Sequence, residues 1–137
     1  MLSLNAEAIA AIRAEGEKAY PDECCGFLCG DTDEKGGRRV EGILPVANAS
    51  EREEKFHRFR IEPDDFLAAS RAAGAAGLDI IGFYHSHPDH PAVPSEYDLQ
   101  LALPCCSYVI VAVGKGMAEE LTSWELSDDR SRFNQEL

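Results

Sequence analysis

Residues 78–98 read LDIIGFYHSHPDHPAVPSEYD, and the way this run breaks decides the fold. Leu78 to Tyr84 form an apolar stretch of strand length that runs straight into His85-Ser86-His87. Three prolines then interrupt the chain in PDHPAVP, and each fixes φ and removes a backbone donor, so regular structure stops there. Ser95-Glu96-Tyr97-Asp98 opens a short helix that runs to about Leu103. A strand, a stiff loop and a helix therefore follow one another, with two histidines at the hinge.

Working outward, SYVIVAV at 107–113 is the cleanest strand in the chain. Gly114-Lys115-Gly116 turns it, and MAEELTSWEL pairs back as a hairpin. The polar tail from Ser127 is expected to fray. Upstream, Asn5 caps an Ala-rich helix over 5–19, stopped by Tyr20-Pro21-Asp22. CCGFLCG at 24–30 and RVEGILPV at 39–46 read as strands around a polar turn, and 48–56 as a mobile polar loop. His57 to Ile61 read as a short strand, and Pro63 begins a helix that ends around Gly77. The sum is an α/β (α+β) domain over residues 1–126: one mixed, mostly antiparallel sheet flanked by helices, with a flexible tail at 127–137.

Composition narrows the function classes. A chain of 137 residues with 45% hydrophobic and 28% charged residues suits one globular core. Thirteen Lys and Arg against twenty-five Asp and Glu give −12, and basic residues occur only in short pairs such as Arg38-Arg39. Nucleic acid is thereby disfavoured, because neutralising phosphates takes clustered cations. No apolar run approaches the roughly 18 residues of a membrane span. The N-terminal segment lacks a basic start and carries Glu7, Arg13 and Glu15, so no signal peptide is read and a cytoplasmic location is expected. There Cys24, Cys25, Cys29, Cys105 and Cys106 are expected to be reduced, and to serve mainly in core packing.

The chemistry starts at His85 and His87. Side chains two apart on an extended chain point to one side, so both imidazoles can converge on one ion. The loop back to the short helix can deliver the Asp98 carboxylate as a third ligand. Two nitrogens and one oxygen suit Zn²⁺, one per chain, and leave a fourth position open for water, which distinguishes catalytic from structural zinc. Glu23, at the mouth of an apolar strand, is the candidate proton shuttle. Ser95 is the candidate hydrogen-bond donor to a developing oxyanion. Ser95 and Asp98 also make a capping box, a role compatible with the first. His90, between two prolines, reads as a turn residue; His57 is either structural or substrate-facing.

His85-Ser86-His87-Pro88, followed after His87 by seven residues and then Ser95-Glu96-Tyr97-Asp98, resembles the H-S-H-x7-S-x-x-D signature of the JAMM (MPN+) metalloproteases. Glu23-Cys24-Cys25-Gly26-Phe27-Leu28-Cys29-Gly30 is similar to that family's E-x-x-G-x-L-x-G segment, which carries its catalytic glutamate. Phe59-Arg60-Ile61-Glu62-Pro63 and the hairpin after Pro104 also sit where the family has them, so the likeness spans about residues 1–126. It implies a three-layer sandwich of the MPN, cytidine-deaminase-like kind. It further implies an active zinc peptidase or isopeptidase of the compact bacterial branch, cutting after the C-terminal Gly-Gly of a ubiquitin-like or sulfur-carrier protein. The long insertions with which eukaryotic members grip polyubiquitin are missing.

Two other readings predict different results. A non-catalytic MPN-type scaffold predicts no stoichiometric zinc and no loss of function in Glu23→Gln. A cysteine-based redox or metal sensor predicts loss of function when Cys24, Cys25 and Cys29 are replaced. Oligomeric state is not legible from the sequence.

Overall fold

A computed structural model describes residues 2–104 and 106–136. In chain order the elements are β1 (Leu2–Leu4), α1 (Ala6–Ala19), β2 (Cys25–Thr32), β3 (Arg38–Val46), a 3-10 turn (Arg52–Glu54), α2 (Pro63–Ala75), β4 (Asp79–Pro88), α3 (Glu96–Leu101), β5 (Ser107–Gly114), β6 (Met117–Leu126) and β7 (Phe133–Gln135). The seven strands form one sheet in the order β1-β3-β2-β4-β5-β6-β7. Its pairings are antiparallel except β1 with β3 and β4 with β5. This is the mixed α+β sheet expected from the sequence.

Alternation along the strands divides the core into two layers. Leu28, Tyr84, Val109, Val111 and Val113 meet Ala8 and Ile12 of α1 on one face. Phe27, Phe83 and Tyr108 meet Ala69 of α2 and Leu99 of α3 on the other. The same two-residue period carries His85 and His87 onto the Phe83 face and Ser86 onto the α1 face. Helix α1 is capped as expected, Asn5 Oδ1 accepting from Ala8 N at 2.7 Å. It lies so close to the sheet that a Cβ on Gly16 would stand 2.9 Å from Val113 and 3.4 Å from Ser86. At the end of α2, Gly77 has φ +76°, the left-handed conformation that terminates a helix without a Cβ clash.

Three expectations need correction. The tail does not simply fray: Phe133–Gln135 pair with Trp124–Leu126 as β7. Its anchor is Glu136, which lies beyond the strand and accepts from Ser123 Oγ at 2.6 Å and Ser107 Oγ at 3.3 Å. Residues 57–61 are not a strand, because their backbone bonds go elsewhere: Arg60 O accepts from Ala49 N, and Arg60 N donates to the Asn48 side chain. The 48–56 loop is tied down rather than loose, with a 3-10 turn and a bond from Glu23 N to Lys55 O at 2.7 Å.

Cys24, Cys25, Cys29 and Cys106 are buried and unbridged; Cys105 lies outside the described residues. Burial pushes the Cys24 thiol up to about 11 and that of Cys25 to about 12, which suits packing better than thiolate chemistry. No helix among the described residues is long and apolar enough to cross a membrane.

Candidate metal centre

His85 and His87 leave the end of β4 on one face, and Asp98 comes from the first turn of α3. The His85 and His87 Nε2 atoms lie 3.1 Å apart, and Asp98 Oδ2 lies 3.2 Å from each. These edges match one face of a tetrahedron around an ion: bonds of about 2.0–2.1 Å give edges of about 3.3–3.4 Å. The donor set fits Zn²⁺.

His87 and Asp98 are each aimed by a further group, whereas His85 Nδ1 has no hydrogen-bond partner among the described residues. His87 Nδ1 is 2.9 Å from Pro91 O, and since a carbonyl only accepts, Nδ1 carries the proton and Nε2 keeps its lone pair for the centre. That carbonyl belongs to the proline loop, which is pinned to β6 where Thr122 Oγ1 donates to Ala92 O at 2.6 Å. Asp98 Oδ2 accepts from Ser95 N at 2.9 Å while Ser95 Oγ accepts from Asp98 N at 3.0 Å. The capping box therefore sets the third donor in place. It also leaves the exposed Ser95 hydroxyl hydrogen free to be donated.

Electrostatics follow from burial. Desolvation holds the His85 imidazole neutral, below its ordinary range. For Asp98, burial works against the charge, but the two imidazoles and the Ser95 N–H outweigh it and keep the carboxylate ionised. Glu23 is only 4% exposed, and its Oε1 has no hydrogen-bond partner among the described residues. Burial, then the Asp98 charge, pushes its carboxyl up to about 9. A ligand atom of Glu23 lies within 4.8 Å of a ring nitrogen of each histidine. Asp98, 3.2 Å from both Nε2 atoms, and Glu23 are therefore both placed beside the two imidazoles where a third donor could stand.

Two residues with no assigned role in the sequence reading hold Glu23 there. Ser86, between the histidines and fully buried, accepts from Cys24 N at 2.8 Å and so fixes the backbone next to Glu23. A hydroxyl residue in an otherwise apolar strand was its signal. Asn48 donates through Nδ2 to Glu23 O at 3.1 Å and to Arg58 O at 2.9 Å. No local pattern marks it, because its partners lie in distant segments. His57 and His90 both line the groove beside Glu23, and among the described residues no contact brings either to the donor triangle.

The centre lies where two grooves meet. One, of about 350 Å³, is largely apolar, walled by Phe59, Ile61, Phe83, Leu101 and Leu103, with His85 and Asp98 at its inner end. The other is more polar and contains Glu23, Arg58, His87 and Ser95. Tyr97 lines both.

A helix–sheet–helix domain with this centre at the end of an internal strand falls in the class of candidate single-site metalloproteins with a carboxylate beside the ion. The chain matches the family model for prokaryotic homologues of the JAB domain over residues 5–127 and belongs to that family. It is 34% identical to a desampylase of Haloferax volcanii over 133 residues, covering 93% of this chain and 92% of the relative. It is 33% identical to a CysO-cysteine peptidase of Mycobacterium bovis over 129 residues, covering 93% and 84%. A solution structure of a Salinibacter ruber protein has 42% identity and a TM-score of 0.79, covering 98% of this chain and 88% of that one.

Proposed function

We propose that this chain is a zinc-dependent peptidase or isopeptidase that hydrolyses the amide bond after the C-terminal Gly-Gly of a ubiquitin-like or sulfur-carrier protein. The observation that carries the reading is the triangle of His85, His87 and Asp98 donors with the unpartnered Glu23 oxygen nearby. The names of the two curated relatives support the peptidase class and the protein-conjugate substrate.

His85, His87 and Asp98 would hold Zn²⁺, which when bound polarises a carbonyl and makes water acidic enough to attack at neutral pH. Glu23 accepts a proton from the attacking water and returns it to the leaving amine. Its burial favours the first step, since a carboxylate whose pKa is raised from 4.5 is a stronger base toward the attacking water. Ser95, its oxygen already engaged by Asp98 N, turns its hydrogen toward the developing oxyanion. The acyl side of the substrate lies in the apolar groove, and the leaving amine departs past Glu23 through the polar one.

The test is incubation with ubiquitin-like and sulfur-carrier proteins extended beyond Gly-Gly, with and without a strong chelator, and product masses by mass spectrometry. Release of the extension, abolished by chelator and by Glu23→Gln, is the expected result. Chelator-insensitive cleavage, or none on any diglycine-terminated protein, overturns the reading.

A further inference from the structure

The turn from Pro88 to Pro91 carries the carbonyl that aims His87, and it is held at both ends. Downstream, Ala92 O accepts from Thr122 Oγ1. Upstream stands Asp89, an exposed residue with φ +56°. Left-handed backbone is strained for a residue with a Cβ and persists where surrounding contacts over-determine it. Asp89 has three such contacts, to the end of β5, to the turn after it and to the end of α1. Its N–H donates to Val113 O at 2.8 Å. Its Oδ1 accepts from Lys115 N at 2.9 Å, and Lys115 itself has φ +53°. Its Oδ2 accepts from Tyr20 Oη at 2.6 Å, and Tyr20 closes α1 just ahead of Glu23.

An exposed carboxylate with both oxygens engaged fills no space in the core. What it fixes is the path of the chain that follows. Only His90 separates Asp89 from Pro91, whose carbonyl lies 2.9 Å from His87 Nδ1 and also accepts from Val93 N at 2.8 Å. We infer that the Asp89 carboxylate, braced by Tyr20 and Lys115, is a positioning group for the metal centre. It holds the Pro91 carbonyl on His87 Nδ1 and so keeps the Nε2 lone pair aimed at the ion. The inference rests on the zinc hydrolase reading above and deepens it, assigning part of the affinity for the ion to residues outside the donor set.

The physical reason is the tautomer. A carbonyl free to drift would let the His87 proton move to Nε2, and a protonated Nε2 has no lone pair to offer a metal. His85 Nδ1 has no hydrogen-bond partner among the described residues, so the bond that fixes a tautomer falls to His87.

The test separates backbone, hydrogen bonds and charge. Asp89→Gly keeps the left-handed turn and removes both acceptors. Asp89→Asn removes the charge but keeps an acceptor for Lys115 N and gains a donor for Tyr20 Oη. Tyr20→Phe removes one hydrogen bond alone. Zinc Kd is read by competition with a chromophoric chelator. Asp89→Gly should weaken binding about tenfold, the low end of what partners of a ligating histidine command. Tyr20→Phe should weaken it about threefold, and Asp89→Asn should stay within about twofold of wild type. In metal-free protein, nitrogen NMR of the imidazoles should show His87 as the Nδ1–H tautomer in wild type and Asp89→Asn, and as a mixture in Asp89→Gly. A merely structural role would lower the thermal midpoint of Asp89→Gly and leave zinc affinity and tautomer intact, and that result overturns the brace. Asp89→Asn weakening zinc as much as Asp89→Gly also overturns it. If the wild type binds zinc but cleaves no diglycine fusion, the hydrolase reading falls while the affinity ratios still decide the brace. If it binds no zinc, the tautomer decides.

Discussion

At Glu23, burial has a consequence for stability that can be measured without substrate. In the metal-free protein its carboxyl is raised from 4.5 to about 9, so across that interval the folded chain holds a proton that the unfolded chain releases. Its stabilising contribution is complete below 4.5 and is lost as pH rises through 9. His85 acts in the opposite sense: its pKa is lowered by burial, so its contribution is present above 6.5 and lost below. Cys24 and Cys25 contribute fully below 9 and lose that contribution only above it. The window from neutrality to about 9 therefore isolates Glu23. Chelator-treated protein should be about 2 kcal/mol less stable at pH 8.5 than at pH 7, read from urea unfolding. Glu23→Gln should flatten that dependence. Equal slopes in the two proteins would show that Glu23 ionises normally in the fold.

Among the elements, the loop from Asn48 to Arg60 has one side chain, Asn48, that ties both of its ends together. Asn48 donates to Glu23 O and Arg58 O, and its Oδ1 accepts from Ser50 N at 3.0 Å and Arg60 N at 3.1 Å. Asn48→Ala leaves these partners unmet and should destabilise the fold by about 1–3 kcal/mol. It should also lower kcat/KM on a diglycine fusion at least about tenfold, because a small misplacement of Glu23 is costly to catalysis. Arg52→Ala, which loses only a surface ion pair with Asp22, is the control and should stay within about 0.5 kcal/mol of wild type. Matching thermal midpoints and rates for Asn48→Ala and Arg52→Ala would remove the loop anchor from the account.

For the whole molecule, the last strand closes the sheet through a charge cluster. The Glu136 side chain, 3% exposed, accepts from Ser107 and Ser123 and lies 3.7 Å from Arg38 at the start of β3. Strands from opposite ends of the sheet order thus share one buried carboxylate. Glu136→Ala should cost about 2 kcal/mol by leaving buried hydroxyls and part of the Arg38 charge unmatched. Truncation after Leu126 should cost more, since β7 leaves with it. Unfolding midpoints in denaturant check both, and an unchanged midpoint for the truncated chain would make β7 an ornament.

The sequence by itself determined what is local. The apolar run into His85-Ser86-His87 set a buried strand with both imidazoles on one face, Ser95 and Asp98 set a capped turn, and Asn5, Pro63 and Gly77 set helix ends. These depend on backbone geometry within a few residues, so composition and spacing carry them. Tertiary structure alone decided the rest. Only folding brings Glu23 to the histidines, through β2–β4 pairing in which Cys25 lies opposite His85. The edge strands β1 and β7 are three residues each, too short to show a period. Asn48 and Ser86 take their roles from partners far along the chain, where no pattern in the sequence can record a distance.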